Sequence, residues 1–289
     1  MTNCASLTAE YMALFRAFES LRPARQRLFS DPYAPLFLSG WRRSVHRAAR
    51  VGPAFWVLER LFDRNLPGAR AAAIARTKWI DDGVTRALAT CGQLVLLGAG
   101  FDTRALRLPA ARRVRVFELD HPETSEAKQA ELRKNAGLPP NVRFLTIDFN
   151  KQTPLEVLHQ AGFDGVEPAC FVWEGVTNYL SPEAVDASMR QFGQAAFGSA
   201  LLFTYVHRGV LDDPQQFFGA CKLLSRLRDI GEPWTFGFCP GETAPYLARR
   251  NLRLVEDIGV AEAWSREGRP PAEMRGYEFY RLASATVSA

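Results

Sequence analysis

Two glycines, Gly98 and Gly100, close the apolar run Leu94-Val95-Leu96-Leu97, and an acidic pair, Glu118 and Asp120, closes the next apolar run. Glycines at such a turn let the backbone approach a ligand where a side chain would clash. An acid about 20 residues further on has the spacing of a carboxylate that accepts both ribose hydroxyls. Strand, glycine turn, short amphipathic piece, strand and acidic tip form the first half of a nucleotide-binding α/β sheet. The dinucleotide fingerprint needs a third glycine, but Thr103 stands there. A pyrophosphate also favours an open helix N-terminus, and Asp102 would repel it. A ligand with ribose and adenine but no phosphate fits better. S-adenosylmethionine is such a ligand, since its sulfonium and ammonium tolerate nearby carboxylates.

Other candidates lie at later strand ends. Val142–Ile147 reads as a third strand ending in Asp148 and Phe149, a carboxylate for an adenine amino group beside a ring that covers the base. A fourth strand, Ala169–Trp173, ends in Glu174, at the tip that borders the ligand cleft of open α/β sheets. Arg76 lies in a helix, Ala69–Ala89, that feeds into the first strand. It is either a surface arginine, which spacing alone favours, or a fork for a carboxylate. The fifth strand, Ala200–Val206, leads into His207, the best-placed histidine for a general base, ahead of His121. Tyr205 offers a hydroxyl that could orient an acceptor.

The elements that must position these residues follow from the rest of the chain. At 289 residues, 47% hydrophobic and 23% charged, the composition is that of one globular domain with a cap. No apolar run reaches about 18 residues, and the N-terminus lacks a secretory pattern, so a cytoplasmic protein without a membrane partner is expected. Five scattered cysteines without C-x-x-C spacing read as reduced thiols, not a metal site. The net charge of +5 suits an acidic small substrate or nucleic acid. Residues 6–21 form an amphipathic helix with Ser6 as its cap, and the arginine-rich residues 41–50 read as a solvated helix face. Residues 209–248 lack strand pattern and read as a helical cap inserted after the fifth strand. Residues 252–258 and 277–282 read as the sixth and seventh strands.

With these residues collected, the chain resembles the bacterial branch of the leucine carboxyl methyltransferase family, within the class I S-adenosylmethionine-dependent methyltransferases. The resemblance rests on Ala75-Arg76-Thr77, Leu97-Gly98-Ala99-Gly100-Phe101-Asp102-Thr103-Arg104, Glu118-Leu119-Asp120-His121-Pro122, Ile147-Asp148-Phe149 and Trp173-Glu174-Gly175-Val176-Thr177-Asn178-Tyr179-Leu180. The resemblance implies a Rossmann-like α/β fold: a seven-stranded sheet, last strand antiparallel, with N-terminal helices over 1–68. It implies that Arg76 binds the methionine carboxylate and that Gly98 admits the methionine part. Asp120 would hold the ribose, Asp148 and Phe149 the adenine, and Glu174 would also contact the cofactor. S-adenosylhomocysteine would be the product.

The expected function is O-methylation of a small, anionic metabolite, such as a polyketide acid, at a carboxylate or hydroxyl. A protein carboxyl methyltransferase and a non-catalytic S-adenosylmethionine-binding protein are the alternatives. A nicotinamide dehydrogenase conflicts with Thr103. A nucleic-acid enzyme finds little support, because few aromatic residues interleave the basic run, and no nucleic-acid partner is expected.

Overall fold

Apolar residues alternate across the central strands and divide between two layers. In β1 (Gln93–Leu97), Leu94 and Leu96 enter one layer, whereas Val95 and Leu97 enter the other. All five residues are buried, as expected for a parallel strand covered on both faces. The computed structural model describes residues 7–149 and 151–288. Ser6, read above as a helix cap, lies outside them.

The other strands are β2 (Arg115–Asp120), β3 (Val142–Thr146), β4 (Ala169–Trp173), β5 (Ala200–Val206), β6 (Leu252–Gly259) and β7 (Tyr280–Val287). They form one sheet in the order β3-β2-β1-β4-β5-β7-β6. β7 runs antiparallel to both neighbours, and the other pairs are parallel. The order reverses between β1 and β4, which opens a crevice at their C-terminal ends.

The helices before the sheet are α1 (Leu7–Leu21), α2 (Gly40–Ala49), α3 (Gly52–Asn65) and α4 (Ala69–Ala87). Those within it are α5 (Arg104–Arg107), α6 (Pro122–Asn135), α7 (Pro154–Gln160), α8 (Pro182–Phe192), α9 (Gly209–Asp212), α10 (Ala220–Asp229), α11 (Pro240–Ala248) and α12 (Val260–Arg266). The alanine-rich α4 has high helix propensity, and its Ile74, Ile80 and Val84 pack on one sheet face with Trp264 of α12. Leu158 of α7, Val185 and Met189 of α8 and Leu247 of α11 cover the other. Ser181 caps α8 by accepting the Ala184 amide at 3.2 Å.

Three boundaries differ from the sequence reading. β7 begins at Tyr280, because Tyr277 and Phe279 form an aromatic cluster before the strand. Small residues then continue the pairing, with β5 to Thr286 and with β6 to Val287. α11, inside the 209–248 stretch read as a cap, packs on β6 as a sheet-layer helix. α3 lies within the 1–68 stretch that the resemblance made helical, though no residue pattern gave its bounds; its buried Phe55 stacks on Phe18 of α1.

Candidate functional site

A cleft of about 740 Å³ opens at the C-terminal ends of β1 to β4. Arg76, Gly98, Gly100, Asp120, Asp148, Phe149 and Glu174 all line it. The sheet therefore brings together, from five segments, every residue expected to bind the cofactor.

The glycine turn is held by backbone geometry. Gly98 and Gly100 adopt φ of 62° and 47°, the left-handed region that favours glycine. A Cβ on Gly98 would lie 2.4 Å from Val176 Cγ2. The amides of Gly98 and Ala99 donate to Leu119 O at 2.8 and 3.1 Å. Asp120 accepts the Gly100 amide on one carboxylate oxygen and the His121 amide on the other, the latter at 2.6 Å. Burial pushes its pKa up against these two amides. Each oxygen keeps a second lone pair for a hydroxyl.

Asp102 sits in front of this turn as a fixed anion. Its Oδ1 accepts the Arg104 amide at 2.7 Å, and its Oδ2 pairs with the Arg104 guanidinium. Burial alone would raise its pKa, but Arg104 and Lys128 hold it down to about 2. An acid with a lowered folded pKa stabilises fully above its unfolded value, here 3.8, and loses that contribution as pH falls towards 2. Asp102→Asn should therefore lower stability at pH 6 by on the order of 2 kcal/mol. In thermal melts, the variant and wild-type curves should converge as pH falls from 4 to 2.

Arg76 and Glu174 meet inside the cleft, which the sequence did not anticipate. Arg76 Nε donates to Glu174 Oε1 at 2.5 Å, and Nη1 donates to the Tyr280 hydroxyl at 3.1 Å. Nη2 makes no hydrogen bond among the described residues and remains for a carboxylate. Glu174 Oε2 accepts from Arg104 Nη1 at 2.6 Å. Burial would raise the Glu174 pKa, yet Arg104 and Arg76 bring it below the ordinary carboxylate value. Two guanidiniums thus fix Glu174 as an anion.

Arg104 extends this pair into a buried network. Its Nε donates to Asp81 Oδ1 at 2.7 Å, and Arg107 Nη1 donates to Asp81 Oδ2 at 2.5 Å. Thr103 Oγ1 donates to Asp31 Oδ2 at 2.6 Å, and Arg16 Nε donates to the same oxygen at 2.9 Å. Arg16 Nη2 reaches the Phe101 carbonyl at 2.5 Å. Arg16 of α1 is thereby tied to the loop that follows the glycines. Arg104 belongs to a segment that carried the family resemblance. No sequence signal marked Asp31 or Arg16.

The remaining walls differ in chemistry. Asp148 and Phe149 form one rim, where Asp148 pairs with the exposed Lys151 at 3.0 Å. Such a surface pair is worth little. Leu223, Leu227, Trp234 and Thr235 come from the cap, and Met12 comes from α1. Tyr179 and Tyr277 complete an aromatic wall. Burial pushes the Tyr179 hydroxyl up to about 12 and raises that of Tyr277. Asn178 is 1% exposed, lines the cleft, and its Oδ1 has no hydrogen-bond partner among the described residues. An unpaired buried carbonyl costs about 1–3 kcal/mol, unless a bound molecule supplies a donor.

These features fit a nucleoside with a ribose diol, an amino-acid tail and no phosphate. Asp120 keeps acceptor capacity for the diol, and Arg76 keeps a donor for a carboxylate. Asn178 Oδ1 awaits a hydrogen, and the Asp102 anion disfavours a phosphate.

Tyr205 and His207 do not reach the cleft, which corrects the expectation placed on them. Side chains alternate along β5. Thr204 faces the cleft side, where its Oγ1 accepts the Gly175 amide at 2.8 Å. Tyr205 therefore points to the other layer and packs beside Phe203 and Phe238. Its hydroxyl donates to Asp257 Oδ2 at 2.6 Å and accepts from Arg281 Nε at 3.0 Å. His207 Nδ1 accepts the Gly209 amide at 3.0 Å, and its ring lies against Phe217. Both side chains hold structure together.

A family model for leucine carboxyl methyltransferase matches residues 9–193. The chain is 33% identical, over 71% of its length and 70% of the other, to a Streptomyces coelicolor protein provisionally named an S-adenosyl-L-methionine-dependent methyltransferase. A similarly named Mycobacterium ulcerans protein is 28% identical, over 100% of this chain and 87% of that one. The fold is shared with a provisionally named methyltransferase from Thermobifida fusca, with a TM-score of 0.60 and 21% identity over 95% of this chain and 94% of that one. It is also shared with a DUF574 family protein from Streptomyces avermitilis, at TM-score 0.60 and 14% identity over 94% and 96% of the two chains. The chain belongs to the leucine carboxyl methyltransferase family and is an S-adenosylmethionine-dependent methyltransferase.

Proposed function

We propose that the protein transfers the methyl group to an oxygen of a small organic acid, with a carboxylate favoured over a hydroxyl. Secondary metabolites such as polyketide acids are the class in view. When bound, S-adenosylmethionine supplies a methyl group on a sulfonium centre. In this reading Asp120 accepts the ribose hydroxyls, Arg76 donates to the methionine carboxylate, and Asp148 with Phe149 addresses the adenine. The turn at Gly98 and Gly100 lets the backbone approach the ligand closely. Glu174 holds Arg76 in position by a charge-assisted bond.

The observation that carries the acceptor class is the aromatic wall. Tyr179 and Tyr277 line the cleft with phenols that are protonated near pH 7, so each has an O–H to offer a bound oxygen. Protonated donors suit an anionic oxygen. Among the described residues the one histidine in the lining is His121, next to Asp120, whose carboxylate accepts its amide. A carboxylate is already ionised and needs no proton removed, so alignment against the methyl carbon is the main demand. Alignment alone can lower a barrier by roughly 7–11 kcal/mol.

The test is a panel of aromatic and aliphatic carboxylic acids, matched alcohols and phenols, and matched amines, read by S-adenosylhomocysteine release. Turnover on acids or hydroxyl compounds is expected, and Tyr205→Phe and His207→Asn should stay within about twofold of wild type. Methylation of amines or nucleic acids alone would overturn the proposal.

A further inference from the structure

We propose that α2 and α3 form a docking surface for an anionic lipid surface, independent of the acceptor reading. Eleven large apolar side chains are exposed among the described residues, and five of them, Trp41, Val51, Trp56, Val57 and Leu61, fall in this helix pair. Trp41 and Trp56, at 49% and 48% exposed, are the two tryptophans on the surface. On α3, Trp56, Val57, Arg60, Leu61 and Arg64 recur at helical spacing on the outer face, whereas Phe55, Leu58 and Phe62 face α1.

Charge separates lipid from other occupants. Arg43, Arg47, Arg50, Arg60 and Arg64 are exposed and form no ion pair among the described residues. The two acids of the segment are already engaged: Glu59 by Arg22 and Arg70, and Asp63 by Arg70. The outer face of α3, with Arg60 and Arg64 among Trp56, Val57 and Leu61, is therefore basic as well as apolar, and the α2 arginines add positive charge beside it. A second copy would set arginine against arginine. Nucleic acid would use the arginines but leave Val51, Val57 and Leu61 in water. An anionic bilayer satisfies both sets, because arginines reach the headgroups while tryptophan and aliphatic side chains enter the interface. The absence of a crossing helix among the described residues concerns spanning, not surface binding. α2 packs on α1, whose Met12 and Arg16 line the cleft, so the docked face lies one helix from the site.

The test is co-sedimentation with phosphatidylcholine vesicles, with and without about one third phosphatidylglycerol. Binding is expected only to the anionic vesicles, and it should fall as salt rises from 0.05 to 0.5 M. Arg60→Glu with Arg64→Glu, and separately Trp56→Glu with Leu61→Glu, should each weaken binding at least about tenfold. S-adenosylhomocysteine titration should be unchanged in both pairs, which shows that they fold. No binding to anionic vesicles, or binding that the Trp56/Leu61 pair does not alter, would overturn the proposal. So would binding of duplex DNA in place of vesicles.

Discussion

Asp120→Ala is expected to weaken S-adenosylhomocysteine binding at least about 100-fold in calorimetric titration. A hydrogen bond to a charged group contributes about 1.5–3 kcal/mol, and Asp120 is proposed to make two with the ribose. The lower bound, about 3 kcal/mol, corresponds to about two decades in affinity. The substitution also frees the Gly100 amide, which Asp120 now holds, so the glycine turn loses its anchor. Asp120→Asn keeps the shape and one acceptor and should lose less. NAD, titrated in parallel, should not bind to either form. A loss below about threefold for the alanine variant would mean that the ribose is held elsewhere.

Arg104→Met should destabilise the fold more than any other single change in the cleft. The side chain is 3% exposed, and its guanidinium pairs with Asp81, Asp102 and Glu174. Asp81 would retain Arg107, and Glu174 would retain Arg76, but Asp102 would lose its ion-pair partner. Breaking a buried pair from one side costs about 3–5 kcal/mol, because a charge stays behind. At roughly 2–4 °C per kcal/mol for a chain of this size, the melting temperature should fall by about 6–20 °C. Adding Asp102→Asn to Arg104→Met should recover part of that loss. A melting temperature within about 2 °C of wild type would show that the three acids are satisfied without Arg104.

The strand tips were legible because their signal is local. Gly98, Gly100 and Asp120 declare themselves by a glycine turn and an acid at fixed spacing, and Asp148, Phe149 and Glu174 each follow a short apolar run. Arg76 carried no such mark, and only the family resemblance raised it above a surface arginine. The ion-pair network was hidden for a physical reason: Arg16 meets the Phe101 carbonyl 85 residues away, and Arg76 meets Glu174 across 98. In sequence these look like solvated charges. Tyr205 failed on strand parity, which turns on a single residue of register, and His207, just past β5, is held by the Gly209 amide and the Phe217 ring. Thr204, one position before Tyr205, faces the cleft side. Residues 209–248 were legible only as a stretch without strand pattern, and α11 within it could be assigned to the sheet layer only by its packing on β6.

The position of β7 has a consequence for synthesis. This strand is the last of the seven in the chain, yet it lies between β5 and β6, and its Tyr280 holds Arg76. At about 5–20 residues per second, the ribosome needs roughly 4–15 s to pass from the end of β5 to Tyr280. During that interval β5 has an open edge, β6 has no neighbour, and Arg76 lacks one of its partners. A nascent chain paused there would carry all of the glycine turn and the Asp120 tip but an unfinished cleft. Cofactor capture should therefore come late, after β7 has inserted, and arrested chains that end before Tyr280 should be exposed to chaperones and strand-edge aggregation.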